Sequence, residues 1–355
     1  MSEALRYQVN ANFIQILDTI GCTLAVSVYT SNTILLVSAE GGRLQVAATS
    51  LQRPMGIATT VVDASLRLAI ATFQEVVVLA DAPLLAAALP DEPDTYARLL
   101  VPRATVYTGD IDAHEMAYVG GRLLAANTRF SCIAEIDARH SFTPAWTPPF
   151  ISAVMPEDRC HLNGLACVDD RVAYATAFAA TDVARGWNET RYRSGVLMEV
   201  PSGRVLLDGL CMPHSPRVYD GQPHVLESGT GRVLRLDAER GAPETLAELP
   251  GFARGLDRIG DVLFVGLSRI RGQPGRTPPP VASKYDKLMC GVAALDRKHR
   301  RVLGYLTLDD SQDEIFDVRV LPNFRRGAIL NPADDRHRRA LVLPGRAFWG
   351  EQPDS

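Results

Sequence analysis

One strand–turn–strand pattern recurs six times along the chain, and a unit of that size can bury its apolar faces only by stacking on its neighbours. "HEMAYVGGRLLAANTRFSC" starts at His114, "NGLACVDDRVAYATAFAAT" at Asn163, "HSPRVYDGQPHVLESGTGR" at His214 and "RGLDRIGDVLFVGLSRIRG" at Arg254. Each reads as a short strand, a Gly/Asp turn and a second apolar strand. A copy with a longer turn starts at Met55, and a shorter one starts near Phe316. The anchors stand 40 to 62 residues apart, bracketing the roughly 40–50 residues of a four-stranded propeller blade.

The two ends of the chain complement each other. "CTLAVSVYTSNTILLVSAEGGRLQVAATS" supplies three strands with no anchor before them, and the copy near Phe316 supplies an inner strand with little after it. Joining them in one blade closes the ring and removes the open edge of a linear array. The expectation is an all-β, six-bladed propeller closed by pairing of its N- and C-terminal strands. Seven blades follow only if "TLAVSVY" is itself an inner strand. Residues 1–21 read as an extension with a short helix, 22–345 as a single propeller domain and 346–355 as a tail. A second helix is expected within "APLLAAALPDEPDTYARL". The longest insertions, "AATDVARGWNETRYRSG" and "RIRGQPGRTPPPVASKYDKLMCG", are expected to collect over the channel mouth.

Bulk properties narrow the function. Of 355 residues, 37 are Lys or Arg and 41 Asp or Glu, giving a net charge of -4 with no dense basic run; a nucleic-acid partner is therefore not expected. The apolar runs are too short and interrupted to span a bilayer. No secretory leader is read at the N-terminus, so a cytoplasmic location is expected. The six cysteines form no CxxC pair and read as small buried hydrophobes. No Walker or dinucleotide fingerprint occurs, which argues against a nucleotide cofactor.

Several ordered motifs resemble a family of bacterial proteins of unknown function expected to be six-bladed propellers: "DRCHLNGLA", "MPHSPRVYDG", "ESGTGRVLRLD", "LPGFARGLDRIGD", "VGLSRIR" and "DEIFDV". The resemblance spans about Thr23 to Leu330 and implies the fold without an activity. The chain departs from the family in carrying Asn188 after the Gly-Trp pair, where Arg is common.

In a propeller the starts of the inner strands converge on one channel mouth. His114, Asn163, His214 and Arg254 should therefore meet there. His161, two residues before Asn163, should point the same way by strand alternation, and Glu314 stands in the same relation to Phe316. A histidine at a strand end ordinarily just hydrogen-bonds a neighbouring loop, but three converging imidazoles form the donor set of an open catalytic metal site. The expectation is thus one divalent ion, zinc, iron or copper, held by His114, His161 and His214. Glu115, Glu314 and Arg254 are the expected catalytic groups, with Glu115 or Glu314 as general base. Asn163, Arg217, Arg159 and Asp317 are the expected substrate contacts. The substrate would be an anionic small molecule or peptide-like compound, and a lyase or hydrolase is favoured because no redox-cofactor motif is present. Two alternatives stay open: an iron- or copper-dependent oxidoreductase at the same site, and a non-catalytic ligand- or protein-binding propeller. Ser228 and Thr230 read as turn residues, His224, His140, His299 and His337 as structural or surface groups, and Trp146 and Trp187 as core or an aromatic wall over the mouth.

Overall fold

In the computed structural model, which describes residues 5–237, 242–269, 277–309, 312 and 314–351, the six anchors open the inner strands of six blades. Blade 1 closes the ring: Ile315–Pro322 pairs antiparallel with Cys22–Val28, followed by Thr33–Glu40 and Arg43–Ser50. "TLAVSVY" is therefore a second strand, and six blades result. The inner strands of blades 2 to 6 are Ile57–Val62, Ala113–Val119, Leu162–Val168, Pro213–Tyr219 and Phe252–Ile259, each starting an antiparallel four-strand meander. Tyr7–Val9 extends blade 6 and Gly327–Ile329 extends blade 2, covering two outer edges.

Apolar residues alternate along these strands and sandwich between adjacent blades. Leu35 and Phe264 lie between blades 1 and 6, Leu36 and Leu79 between 1 and 2, Ala125 and Ala69 between 2 and 3. Leu162 and Ile133 fill the next seam, Leu197 and Val225 the one after, and Leu226 and Leu263 the last. The helix Ala11–Ile20 starts at Asn10, whose side chain accepts from the Phe13 amide at 3.0 Å, and stops at left-handed Gly21. Its buried Phe13 and Leu17 seal the seam between blades 6 and 1. The second expected helix shrinks to Pro83–Ala86, because Pro90 and Pro93 cannot continue it. The hairpin Ala340–Leu343 with Arg346–Trp349 packs on that helix, Trp349 Nε1 donating to Leu85 O at 3.1 Å.

Around the axis the residue after each anchor alternates. Blades 2, 4 and 6 carry Gly56, Gly164 and Gly255, whereas blades 1, 3 and 5 carry Asp317, Glu115 and Ser215. The glycines are sterically required: a Cβ on Gly164 would sit 2.3 Å from Pro216 Cδ, and one on Gly255 would sit 2.5 Å from the Val318 amide. Three bare positions let three polar side chains meet on the axis. A second regularity lies two residues before the anchor. Arg53, Asp112, His161 and Met212 all take left-handed backbone, with φ of 46°, 54°, 53° and 52°.

Candidate functional site

That second regularity corrects one step of the sequence reading. His161 lies in the left-handed turn before the strand, which begins at Leu162, so strand alternation does not aim it. The blade-4 counterpart of His114 and His214 is Asn163. The turn nevertheless swings the His161 ring over the mouth. Its centroid lies 5.0 Å from that of His114, edge-on, and His114 stands 6.5 Å from His214 with planes only 9° apart.

The hydrogen bonds fix which nitrogen of each ring carries the proton. Thr128 Oγ1 donates its one hydrogen to Leu162 O at 2.5 Å and lies 2.8 Å from His114 Nδ1, so it accepts from that nitrogen. Ser228 repeats the arrangement two blades on, donating to Ala253 O at 2.5 Å and accepting from His214 Nδ1 at 2.8 Å. His161 Nδ1 faces the Asp158 carboxylate at 3.0 Å, which can only accept when ionised. All three rings therefore carry a proton on Nδ1, and in the neutral form each presents a bare Nε2 lone pair. None of the three Nε2 atoms has a hydrogen-bond partner among the described residues. Burial pushes the His214 pKa well below the ordinary imidazole value, helped by Arg254 and the neighbouring histidines. Burial likewise lowers that of His161 against the opposing pull of Asp158. Burial thus favours the neutral form of both rings.

Aromatic rings wall the mouth. Trp187 lies 4.3 Å from His161 and donates Nε1 to the Asp158 carboxylate at 3.0 Å; Phe178 lies 4.4 Å from His161 and 5.2 Å from His214. The first long insertion thus covers the mouth, and Tyr192 Oη ties it to Thr277 of the second at 2.7 Å. Trp146 is elsewhere, bonded to Pro201 O. Beneath the histidines is a cavity of about 10 Å³ lined by His114, His214, Asn163, Arg254, Ser215 and Phe316, with Glu115 and Asp317 at its base. That is on the order of the space one water needs.

Arg254 stacks 3.3 Å from the Phe316 ring centroid and pairs its Nη1 with Glu314 at 3.2 Å. Glu115, Arg217 and Asp317 lie one layer deeper, joined by Arg319, which sequence reading did not select. Glu115 pairs with Arg217 and, at 3.1 Å, with Arg319; Arg319 also meets Asp317 at 3.2 Å. Leu165 N donates to Glu115, Ile57 N to Asp317, and Arg217 Nε to Leu256 O. Burial raises the Glu115 pKa while the two guanidiniums hold it down. Glu115 is thereby committed to a network that plugs the channel, and Glu314 is the less encumbered carboxylate. Arg159 stands apart, held by Glu157 at 2.8 Å and Asp182 at 2.7 Å. Cys160 and Cys211 are buried thiols whose pKa is pushed up to about 12 by burial, so neither supplies a thiolate. His224 is buried as well, whereas His140 and His299 are exposed.

The donor chemistry suits a first-row divalent ion: three imidazoles, each oriented through Nδ1. The spacing suits it in part. Two imidazoles bound at about 2.0–2.1 Å keep their ring centres on the order of 5 Å apart, as His114 and His161 do, while His214 stands wider. Among the described residues no group of three or more His, Cys, Asp or Glu is arranged to hold a metal ion, and no helix is long and apolar enough to cross a membrane.

Comparison with known proteins supports the fold. A chain of the nidogen/laminin complex superposes with a TM-score of 0.52 at 12% identity, covering 86% of this chain and 100% of its own; identity this low speaks to architecture alone. No curated protein matches by sequence. A family described as a domain of unknown function, DUF4915, matches residues 11–330, and the chain belongs to that family.

Proposed function

We propose that the protein is a metal-dependent enzyme whose mouth acts on an anionic small-molecule or peptide-like substrate. The observation that carries this reading is the shared tautomer of His114, His161 and His214: three blades each pin Nδ1 and leave Nε2 without a partner. A divalent ion bound there would supply Lewis acidity to a substrate oxygen or to water. Glu314, beside Arg254, is placed to hold the proton, because Glu115 is tied to two arginines. Arg254 orients an anionic group, and Trp187 and Phe178 exclude water. Lyase or hydrolase chemistry is favoured over oxidative chemistry for want of a redox-cofactor motif.

A second reading, a ligand-binding propeller without catalysis, draws support from the small cavity and from the wide setting of His214. Elemental analysis of tag-free protein separates the two. The enzyme reading expects close to one equivalent of zinc, iron or copper, reduced at least tenfold in His214→Ala. Protein that purifies without metal and refuses added zinc, iron and copper overturns it and leaves the binding propeller.

A further inference from the structure

Three residues that line the small cavity beneath the histidines each carry a hydrogen-bond donor without an acceptor among the described residues. Arg254 is 8% exposed, and its Nη2 has no hydrogen-bond partner. Asn163 is 2% exposed; its Oδ1 accepts from Thr176 Oγ1 at 2.7 Å, which turns Nδ2 away to stand unpaired. Ser215 Oγ accepts from the Gly255 amide at 2.9 Å, and its own hydrogen has no acceptor among the described residues. Buried donors left without acceptors are costly, and three around one cavity mark a place built for an acceptor atom. The carboxylates at the base of the cavity do not serve: Glu115 is taken by Arg217, Arg319 and Leu165 N, and Asp317 by Arg319, Ile57 N and Val318 N.

We infer that this cavity is a carboxylate-binding pocket, taking one oxygen of a monoanionic substrate carboxylate from Arg254 Nη2, Asn163 Nδ2 and Ser215 Oγ. The inference rests on the reading of this mouth as a substrate site and narrows its substrate class. Room for about one oxygen-sized atom excludes burial of a whole head group, so the second carboxylate oxygen points out toward the histidines. The charge must be single. Glu115, Asp317 and Glu314 already surround the pocket, and a dianion such as phosphate would meet their field with only one free guanidinium nitrogen and two neutral donor groups in return. A neutral amide of the same shape forfeits the charge-assisted bond to Arg254.

The test is calorimetric titration of the chelator-treated full chain with acetate, acetamide and inorganic phosphate. Acetate should bind saturably, and the other two at least tenfold more weakly. Asn163→Asp, which replaces the donor by an acceptor of equal size, should weaken acetate at least tenfold, and so should Arg254→Gln. Ser215→Ala should weaken it severalfold and serves where the first two fail to fold. Absence of saturable acetate binding, tighter binding of phosphate, or folded variants that bind acetate as the parent does would each overturn the inference and leave a water in the cavity. Failures of the two readings are distinguishable. Acetate binding by protein that never takes up metal leaves the pocket standing without the metal, and metal-loaded protein blind to acetate does the reverse.

Discussion

The channel holds two buried polar layers, and they are built on opposite terms. In the deeper layer Glu115, Arg217, Asp317 and Arg319 set two carboxylates against two guanidiniums, with main-chain donors and acceptors from neighbouring inner strands filling most remaining positions; Arg217 Nη2 makes no hydrogen bond but stands 3.9 Å from the Asp317 carboxylate. In the layer above it, Arg254 Nη2, Asn163 Nδ2 and three imidazole Nε2 atoms are left over. Burial is similar in both, so burial alone separates nothing. The difference is satisfaction. A nearly saturated network of paired charges fixes the register of the ring, whereas a layer with several donors and acceptors left over keeps a binding capacity that the fold itself does not use.

Three substitutions test what buried polar groups contribute in this ring. The largest effect is expected in the plug. Arg217→Met leaves Glu115 buried with half its compensation and should cost about 3–5 kcal/mol by denaturant unfolding; a loss near zero would mean that the plug contributes nothing to stability. A smaller effect is expected from His224, buried in blade 5 away from the mouth, with its pKa lowered to about 4 by burial. Its folded value lies below the unfolded value of about 6.5, so the unfolded chain binds the extra proton. Stability is then retained above about pH 6.5 and lost as the pH falls toward 4. His224→Gln should flatten the decline between pH 7 and 4.5 by about 2 kcal/mol, and an unchanged slope would place the titration elsewhere. The smallest effect belongs to Ser228→Ala. It should release the His214 tautomer, visible as a mixed Nδ1/Nε2 signature in imidazole nitrogen spectra, with metal affinity down about tenfold. Ser228→Thr should restore both. A spectrum that stays purely Nδ1–H in the alanine variant would show that the hydroxyl does not set the proton.

How much of this was legible depended on whether a residue acts through the repeat or through a turn. The anchors at 55, 114, 163, 214, 254 and 316 follow from strand periodicity, and each opens an inner strand. Closure followed from the complementary ends of the chain. His161 was found for an incomplete reason, since a left-handed turn rather than strand alternation carries its ring to His114. Arg159 carries no contact to the mouth because it turns to Glu157 and Asp182, while Asp158, which has no signal of its own in the sequence, orients His161. Thr128 and Ser228 end second strands and look like turn residues. Their effect appears only when the carbonyl of the next blade is in place to take the hydroxyl proton. Arg319 carries no local signal, because its partners come from blades whose chain positions are up to 262 residues away.

The sequence alone determined the repeat and the direction in which the inner strands point, because those depend on short-range alternation and on turns a few residues long; the pairing of Cys22–Val28 with Ile315–Pro322 decided between six blades and seven. It also pointed to the histidines, Asn163 and Arg254 as groups of one channel mouth. The tertiary structure alone decided which of them are saturated and which are left with bonding capacity. Saturation depends on partners from other blades, and the distances between blades are set by ring closure and by glycines that let neighbouring backbones touch.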